Sequence, residues 1–118
     1  MTTINSKQRT IARENILKVL YQQNLNEYTF SDILKTFIEK RKYDKDYFEN
    51  IILLIEENNK KIVSFIEDNT DLKLESLIPI DRAILMLSVC ELIYRNDVPK
   101  KVILNESINI AKKYSTDE

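Results

Sequence analysis

Residues 80–95 read Ile80-Asp-Arg-Ala-Ile-Leu-Met-Leu-Ser-Val-Cys-Glu-Leu-Ile-Tyr-Arg95, and from Ala83 to Cys90 every residue except Ser88 is apolar. A surface helix shows a polar position about once per turn, which this stretch lacks. The pattern therefore predicts the central helix of a domain, covered by other helices on all sides. Pro79 suits its first turn, and Asn96-Asp97 is typical of its end. The segment is too short, and too charged at its ends, to span a bilayer.

Four further segments carry apolar residues at helical spacing. They predict a first helix from Asn5 or Ser6 to about Gln23, a second beginning at Thr29 or Ser31, a third from Asp44 to about Asp68, and a last from Pro99 to about Tyr114, with a short turn between Leu74 and Ile78. The apolar run Ile51 to Ile55 has the length of a strand, but it sits within a longer helical period. The chain is therefore predicted to be all-α and to form a compact helical bundle.

The same spacing predicts the buried faces of three helices. The second helix places Phe30, Ile33, Leu34, Phe37 and Ile38 on one side, the third places Tyr47, Phe48, Ile51, Ile52, Ile55, Ile62, Phe65 and Ile66, and the last places Ile103, Leu104, Ser107, Ile108, Ala111 and Tyr114. Asn58 and Asn59 interrupt the apolar face of the third helix, but the helical spacing resumes after them, so one continuous helix is predicted. The basic run from Lys40 to Lys42 is expected to be the solvated end of the second helix, where cations favour the helix dipole.

Composition argues against most catalytic and metal-binding classes. The 118 residues contain no histidine, no glycine and one cysteine, so the usual base at neutral pH, the usual zinc ligands and a glycine-rich phosphate loop are missing. Cys90, inside the apolar stretch, is expected to be a small core residue. We therefore expect no enzyme, no cofactor and no metal site. Because the N-terminus lacks the apolar run of a signal peptide, we expect a cytoplasmic protein.

Charge is unevenly distributed, although the net charge is only -1. Residues 1–24 hold four basic residues and one acid, whereas residues 25–97 hold ten basic residues and fifteen acids. This predicts a basic N-terminal patch on an acidic body. Lys7 and Arg9 are suited to bind a phosphate near the start of the first helix, where backbone N–H groups add positive charge. Arg13 continues the apolar stripe of that helix, so it is interpreted either as a phosphate ligand or as the partner of a carboxylate on a neighbouring helix.

The C-terminal half carries a family resemblance. Its segments Asp81-Arg-Ala-Ile-Leu, Glu91-Leu92, Asp97-Val-Pro-Lys-Lys-Val-Ile-Leu-Asn-Glu106 and Ala111-Lys112 resemble the NusB family of bacterial transcription antitermination factors. The earlier Ala12-Arg-Glu14, Leu20-Tyr-Gln22 and Tyr47-Phe48 occur in the family's order at compatible spacing. The segment from Asp97 to Glu106 is the specific part, and the resemblance covers essentially the whole chain.

The resemblance implies an all-α fold of two packed helical subdomains, here residues 1–70 and 71–118. It also implies RNA binding without catalysis. Members of the family bind the boxA element of nascent RNA together with ribosomal protein NusE, in the transcription elongation complex during ribosomal RNA transcription. RNA and NusE are therefore the expected partners, and no association with a membrane is expected.

The family's binding residues carry over to six positions of this sequence. RNA contacts map onto Lys7, Arg9 and Arg13, and partner contacts map onto Tyr21, Glu75 and Asp81. The arginine motif is thinned, since Thr10 and Ile11 stand where the family commonly has further arginines. The alternative for Tyr21 is a half-buried packing residue. The alternative for Asp81 is a first-turn acid that stabilises the N-terminus of its own helix.

Two other functions fit the same resemblance. One is the NusB-like RNA-binding domain found in front of certain ribosomal RNA cytosine methyltransferases, and the other is a helical adaptor that has lost RNA binding. The sequence stops without a cofactor-binding α/β domain and has no glycine for a cofactor loop. Both features disfavour the methyltransferase alternative.

The C-terminal end leads to a further expectation. The family pattern continues with a closing helix that carries a Phe-Val-Asn-Gly motif, whereas this sequence stops at Glu118, after Ser115-Thr116-Asp117 in the pattern of a helix cap. Apolar surface is therefore expected to be exposed on the Ile103 to Ala111 stripe and among six residues of the central helix: Ile84, Leu85, Leu87, Val89, Leu92 and Tyr94. We expect this surface to be covered by a second copy of the chain, by a partner helix, or by repacking of Tyr94 and Tyr114 across it. A homodimer is the simplest of these, because it needs no other gene product.

Overall fold

The computed structural model describes residues 5–115, and within them it contains five α-helices, one short 3-10 turn and no β-strand. The elements are α1 Ser6–Asn26, α2 Phe30–Thr36, α3 Lys45–Asn69, the 3-10 turn Leu74–Ser76, α4 Pro79–Tyr94 and α5 Lys100–Tyr114. The predicted all-α class is confirmed, and every predicted helix is present. The predicted cap at Thr116 and Asp117 lies outside the described residues.

Three helices begin at polar residues that the sequence indicated. The side chains of Asn5, Thr29 and Asp44 accept hydrogen bonds from backbone N–H groups in the first turns of α1, α2 and α3, at distances between 2.9 and 3.3 Å. These N–H groups have no partner within the helix, so each cap stabilises the start of its helix.

The helix α2 is shorter than predicted. It ends at Thr36, because Phe37 adopts extended backbone (φ −70°, ψ 128°) and stacks its ring on that of Phe48 with centroids 5.4 Å apart. Ile38, expected on the buried face of the helix, is 79% exposed. The basic run from Lys40 to Lys42 therefore lies beyond the helix, and its prediction as a helix end is wrong.

Arg41, in the middle of that run, ties the segment to α1. Its guanidinium donates to the carboxylate of Glu39 at 2.7 Å and to that of Glu14 at 3.1 Å. Glu14 also accepts from Nζ of Lys113 at 2.8 Å, which joins α1 to the end of α5. Burial raises the pKa of the Glu14 carboxyl, but the hydrogen bonds from Lys113 and Arg41 outweigh burial and leave the pKa below its ordinary value. The basic run is thus partly neutralised by neighbouring acids.

The helix α3 is kinked at Asn58. This residue has φ −120° and ψ 21°, and its side-chain amide donates to the carbonyl oxygen of Leu54 at 2.9 Å. The helix continues on both sides, as predicted for the Asn58-Asn59 interruption. Phe65 is 46% exposed, so its assignment to the core is wrong. It lies on the flank of a buried face that is centred on Ile62 and Ile66.

The helix α4 is the central helix of the bundle, as predicted. It packs against α1, α3 and α5, and each residue from Ala83 to Cys90 is buried or half-buried. Cys90 is fully buried, as expected, and burial raises the pKa of its thiol to about 12. The thiol is therefore protonated at neutral pH and is a poor nucleophile.

The apolar surface expected around α4 is largely covered. Three of the six named residues are buried and three are half-buried: Ile84, Leu87 and Val89, and Leu85, Leu92 and Tyr94. On α5, by contrast, Leu104 and Ile108 of the predicted stripe are 56% and 52% exposed. Ile103 is buried and Ser107 meets Ser88 of α4, as predicted. The buried face is nevertheless rotated from the predicted one, because Ile110, outside the predicted face, is buried in place of Leu104 and Ile108. The homodimer stays a prediction.

One continuous set of buried apolar side chains extends across both predicted halves of the chain, from Ala12 and Ile16 in α1 to Ile103 and Ile110 in α5. The division into residues 1–70 and 71–118 stays a prediction. Between residues 5 and 115, none of the helices combines the length and the hydropathy that a membrane span requires.

Replacing Leu87 with alanine tests the central position of α4. Leu87 is 2% exposed, so we expect the substitution to lower the free energy of unfolding by about 3 kcal/mol through lost burial and an unfilled cavity. Leu25→Ala is the control, because Leu25 is 51% exposed and its truncation should cost less than about 0.5 kcal/mol. Urea unfolding followed by circular dichroism measures both. Equal losses in the two variants would contradict the central role of α4.

Candidate nucleic-acid interface

The first turns of α1 and α5 meet at one end of the bundle and enclose a concavity of about 370 Å³. Its walls are formed by Ser6, Lys7, Arg9, Thr10 and Arg13 of α1 and by Asp97, Val98, Pro99, Val102 and Glu106 of the α4–α5 loop and α5. Oγ1 of Thr10 donates to Oε1 of Glu106 at 2.6 Å, which joins the two helices beneath the concavity. All three residues predicted to bind RNA therefore line one concave surface.

Two helix N-termini add positive charge at this surface. Lys7 is exposed in the first turn of α1, and Lys100 is exposed at the start of α5, directly after Pro99. No side chain caps the start of α5, so its first N–H groups and the helix dipole favour an anion. Lys100 was not among the predicted binding residues. The packing of α5 beside α1 places Pro99, the residue before it, at the concavity that the basic N-terminal segment lines.

Arg9 is held against α3. Its Nε donates to Oδ2 of Asp44 at 2.9 Å, and its guanidinium lies 3.8 Å from the centroid of the Tyr47 ring. Arg95 lies over the same ring at 4.4 Å and pairs with Asp97 at 2.8 Å. The hydrogen bond from Arg95 lowers the pKa of the Asp97 carboxyl to about 2. The side chain of Arg9 is 12% exposed, so only its outer edge faces the concavity.

Arg13 is buried. Its Nε donates to Oε2 of Glu91 at 2.8 Å, and its Nη1 donates to Oε1 of Glu106 at 3.1 Å. Burial lowers the pKa of the guanidinium, but the charges of Glu91, Tyr47 and Glu106 and the hydrogen bond to Glu91 together outweigh burial and raise it. Of the two interpretations of Arg13, the structure shows the pairing with a carboxylate of a neighbouring helix. Phosphate binding by Arg13 stays a prediction, because the side chain is only 3% exposed.

Two residues at the centre of this network were not predicted as site residues. Tyr47 was expected only as a core residue, yet its hydroxyl donates to the Glu91 carboxylate. Its pKa is raised, first by burial and then by the charge of Glu91. Glu91 is 1% exposed. The sequence did carry an indication of the role of Glu91. This acid directly follows the apolar run, and an acid in a helix that is covered on all sides needs a buried partner.

The directions of the helices show at which end of the bundle the predicted partner-binding residues lie. Four side-chain contacts give these directions: Thr10 to Glu106, Glu14 to Lys113, Ser88 to Ser107 and Asp81 to Ser115. The first two show that α1 and α5 run parallel, and the last two show that α4 runs the opposite way. The end of α1, the start of α4 and the end of α5 therefore lie at the far end of the bundle from the concavity.

Tyr21, Glu75 and Asp81 share this far end. Tyr21 is 39% exposed and lies about two turns beyond Glu14 on α1. Glu75 is exposed in the 3-10 turn that precedes α4. Asp81 is half-buried in the first turn of α4 and accepts from Oγ of Ser115 at 2.6 Å. Partner binding by these residues stays a prediction, and the first-turn position of Asp81 also agrees with its structural alternative.

The chain is similar to known proteins over most of its length. The family model described as NusB family matches residues 10–118. The transcription antitermination protein NusB of Clostridium novyi is 40% identical over 115 residues, which covers 92% of this chain and 86% of that protein. The protein of the same name from Listeria welshimeri is 39% identical over 111 residues, covering 93% and 85%. Among solved structures, T. maritima NusB matches with a TM-score of 0.81 at 30% identity, covering 99% of this chain and 82% of that one.

Removing the Glu91 carboxylate tests the buried network. In Glu91→Ala the Arg13 guanidinium loses its nearest carboxylate and the Tyr47 hydroxyl loses its acceptor, so we expect the free energy of unfolding to fall by about 3 to 5 kcal/mol. Glu57→Ala, on the exposed side of α3, should change it by less than about 0.5 kcal/mol. Urea unfolding measures both variants. A Glu91→Ala protein as stable as the wild type would show that the network does not stabilise the fold.

Proposed function

Because this chain belongs to the NusB family, we propose that it binds boxA-type single-stranded RNA together with ribosomal protein NusE during ribosomal RNA transcription. Its relatives are named as transcription antitermination proteins, and the protein is not an enzyme. In this proposal it works in the cytoplasm, as a component of the transcription elongation complex.

The concavity between α1 and α5 is the observation that carries the proposal. The predicted RNA-binding residues line it, and two helix N-termini with exposed lysines adjoin it. Both helix dipoles favour a phosphate there, and at the start of α5, which no side chain caps, free backbone N–H groups also favour it. Val98, Pro99 and Val102 add an apolar wall against which an unstacked base of single-stranded RNA can pack.

The three basic residues have different roles in this proposal. Lys7 is exposed and binds a phosphate directly. Arg9 offers the outer edge of its guanidinium, while Asp44 and Tyr47 fix its position. Arg13 supports the interface by holding α1 against α4 and α5. It would contact RNA itself only after leaving its carboxylate partners.

The relatives favour an antitermination factor over the RNA-binding domain of a methyltransferase. The chain covers most of the length of proteins that are named for antitermination. An adaptor without RNA binding is the remaining alternative. It would show neither affinity for RNA nor a dependence of binding on salt.

Filter-binding titration with boxA-like RNA tests the interface. If Lys7, Arg9 and one further cation each neutralise a phosphate, log K should fall against log salt with a slope of about −2. Lys7→Ala should weaken binding and reduce the magnitude of that slope by about 0.7, because one phosphate contact is lost. Arg9→Ala should act in the same direction.

Lys60→Ala is the control for these variants, since Lys60 is exposed on α3, outside the concavity. It should leave affinity and slope unchanged. Scrambled RNA reports the sequence-independent part of binding. Wild-type affinity in both Lys7→Ala and Arg9→Ala would remove the N-terminal residues from the interface, and a slope steeper than about −5 would show that many more lysines contact RNA.

Charge reversal at the far end tests the contact with NusE. A basic ribosomal protein is expected to meet acidic surface, so Glu75→Lys and Asp81→Lys should each weaken the complex by about tenfold. Glu57→Lys, an exposed acid on α3, is the matched control. Isothermal calorimetry measures affinity, and circular dichroism confirms that each variant is folded. Wild-type affinity in both far-end variants would place the partner elsewhere.

A further inference from the structure

Two carboxylates share one buried guanidinium at the base of the concavity between α1 and α5. Arg13 donates from Nε to Glu91 at 2.8 Å and from Nη1 to Glu106 at 3.1 Å. One positive charge therefore faces two negative charges. The rim of the concavity is positive at Lys7, whereas its base carries an excess of negative charge, which opposes an anionic ligand.

The two carboxylates differ in burial. Glu91 is 1% exposed and also accepts from the Tyr47 hydroxyl, so it is fixed from two sides. The side chain of Glu106 is 18% exposed and lines the concavity. Of the two partners of Arg13, Glu106 is therefore the one that a ligand in the concavity can reach.

The carboxylate of Glu106 is bound in the way that a phosphate group would be. Its Oε1 accepts from Oγ1 of Thr10 at 2.6 Å and from Nη1 of Arg13 at 3.1 Å. Hydroxyl groups and arginine nitrogens are also ordinary donors to phosphate oxygens. Thr10 and Arg13 both line the concavity, so an anion that reaches its base meets the same two donors.

One donor atom of Arg13 is unused. Its Nη2 is buried without a hydrogen-bond partner among the residues that the structure describes, and the side chain is only 3% exposed. A buried donor without a partner is costly, and a phosphate has enough oxygens to accept from Nη1 and Nη2 together. The unpaired Nη2 is thus an independent indication of an anion site.

We infer that Glu106 is an internal competitor for a phosphate-binding site formed by Arg13 and Thr10. In the free protein its carboxylate takes the place of the phosphate, so RNA is held by the rim of the concavity alone. When that carboxylate is neutralised or removed, Arg13 keeps its pair with Glu91 and offers both Nη atoms to a phosphate. The inference rests on the proposed function for its ligand, RNA, but the site itself can be tested with inorganic phosphate.

The substitution Glu106→Gln tests the competition. Glutamine keeps an oxygen that accepts from Thr10 and Arg13, but it carries no charge and is displaced more easily. Affinity for boxA-like RNA should therefore rise about fivefold, since charge repulsion at the base of the concavity is lost. The magnitude of the salt slope should grow by about 0.7, because Arg13 gains one phosphate. Filter binding measures both quantities, and Glu57→Gln, an exposed acid on α3, is the matched control that should change neither.

Rescue of Glu106→Ala by phosphate tests the site without RNA. Truncation leaves Nη1 of Arg13 and Oγ1 of Thr10 without their acceptor, and phosphate can take its place. Exchanging chloride for phosphate at equal ionic strength stabilises most proteins, so the wild type reports that general effect. The Tm of Glu106→Ala should rise by about 3 °C more than the Tm of the wild type, because phosphate binds only the variant.

A second substitution locates the bound phosphate. Adding Thr10→Val to Glu106→Ala removes one donor and leaves the pair of Arg13 and Glu91 intact, so the extra rise in Tm should become smaller. Glu57→Ala should respond to phosphate as the wild type does.

Either of two results would overturn the inference. One is unchanged RNA affinity in Glu106→Gln while the wild type binds RNA, and the other is a Glu106→Ala protein that gains no more stability from phosphate than the wild type. Rescue by phosphate in a chain that binds no RNA would support the site and overturn the proposed function instead. If Glu106→Ala does not fold in any buffer, the RNA affinity of Glu106→Gln decides.

Discussion

The buried ion pair between Arg13 and Glu91 is the contact on which the arrangement of the bundle depends. Glu91 also accepts from Tyr47, and Arg13 also donates to Glu106, so α1, α3, α4 and α5 meet in one network. A buried charge without a partner is costly, whereas apolar side chains can exchange neighbours at little cost. We interpret the network as the feature that fixes the register of the four helices.

That register gives the two ends of the bundle different chemistry. It sets the first turn of α1 beside the first turn of α5, where lysines and helix N-termini favour anions. It also brings Tyr21, Glu75 and Asp81 to the opposite end, where exposed acid favours a basic protein. Ligands bound at opposite ends do not compete for space, which suits a protein that is proposed to hold RNA and a protein partner at once.

Local patterns were sufficient for most of the fold. The helices, their caps at Asn5, Thr29 and Asp44, and the central position of α4 follow from spacing and hydrogen bonding within a few residues. The basic N-terminal patch follows from composition alone. The places where prediction failed share one cause. The end of α2, the exposure of Phe65 and the rotation of α5 depend on side chains that are distant in the chain.

The sequence therefore established which segments are helical, which helix is surrounded by the others, and which residues of α1 carry positive charge, because each of these is a property of neighbouring residues. The tertiary structure established what those charges do. It placed Arg13 inside the bundle rather than on its surface, gave Glu91 and Tyr47 their partners, and set the start of α5 at the concavity that Lys7 lines. The physical reason is that burial and charge pairing are settled between helices, and their outcome is not encoded in the spacing within any one of them.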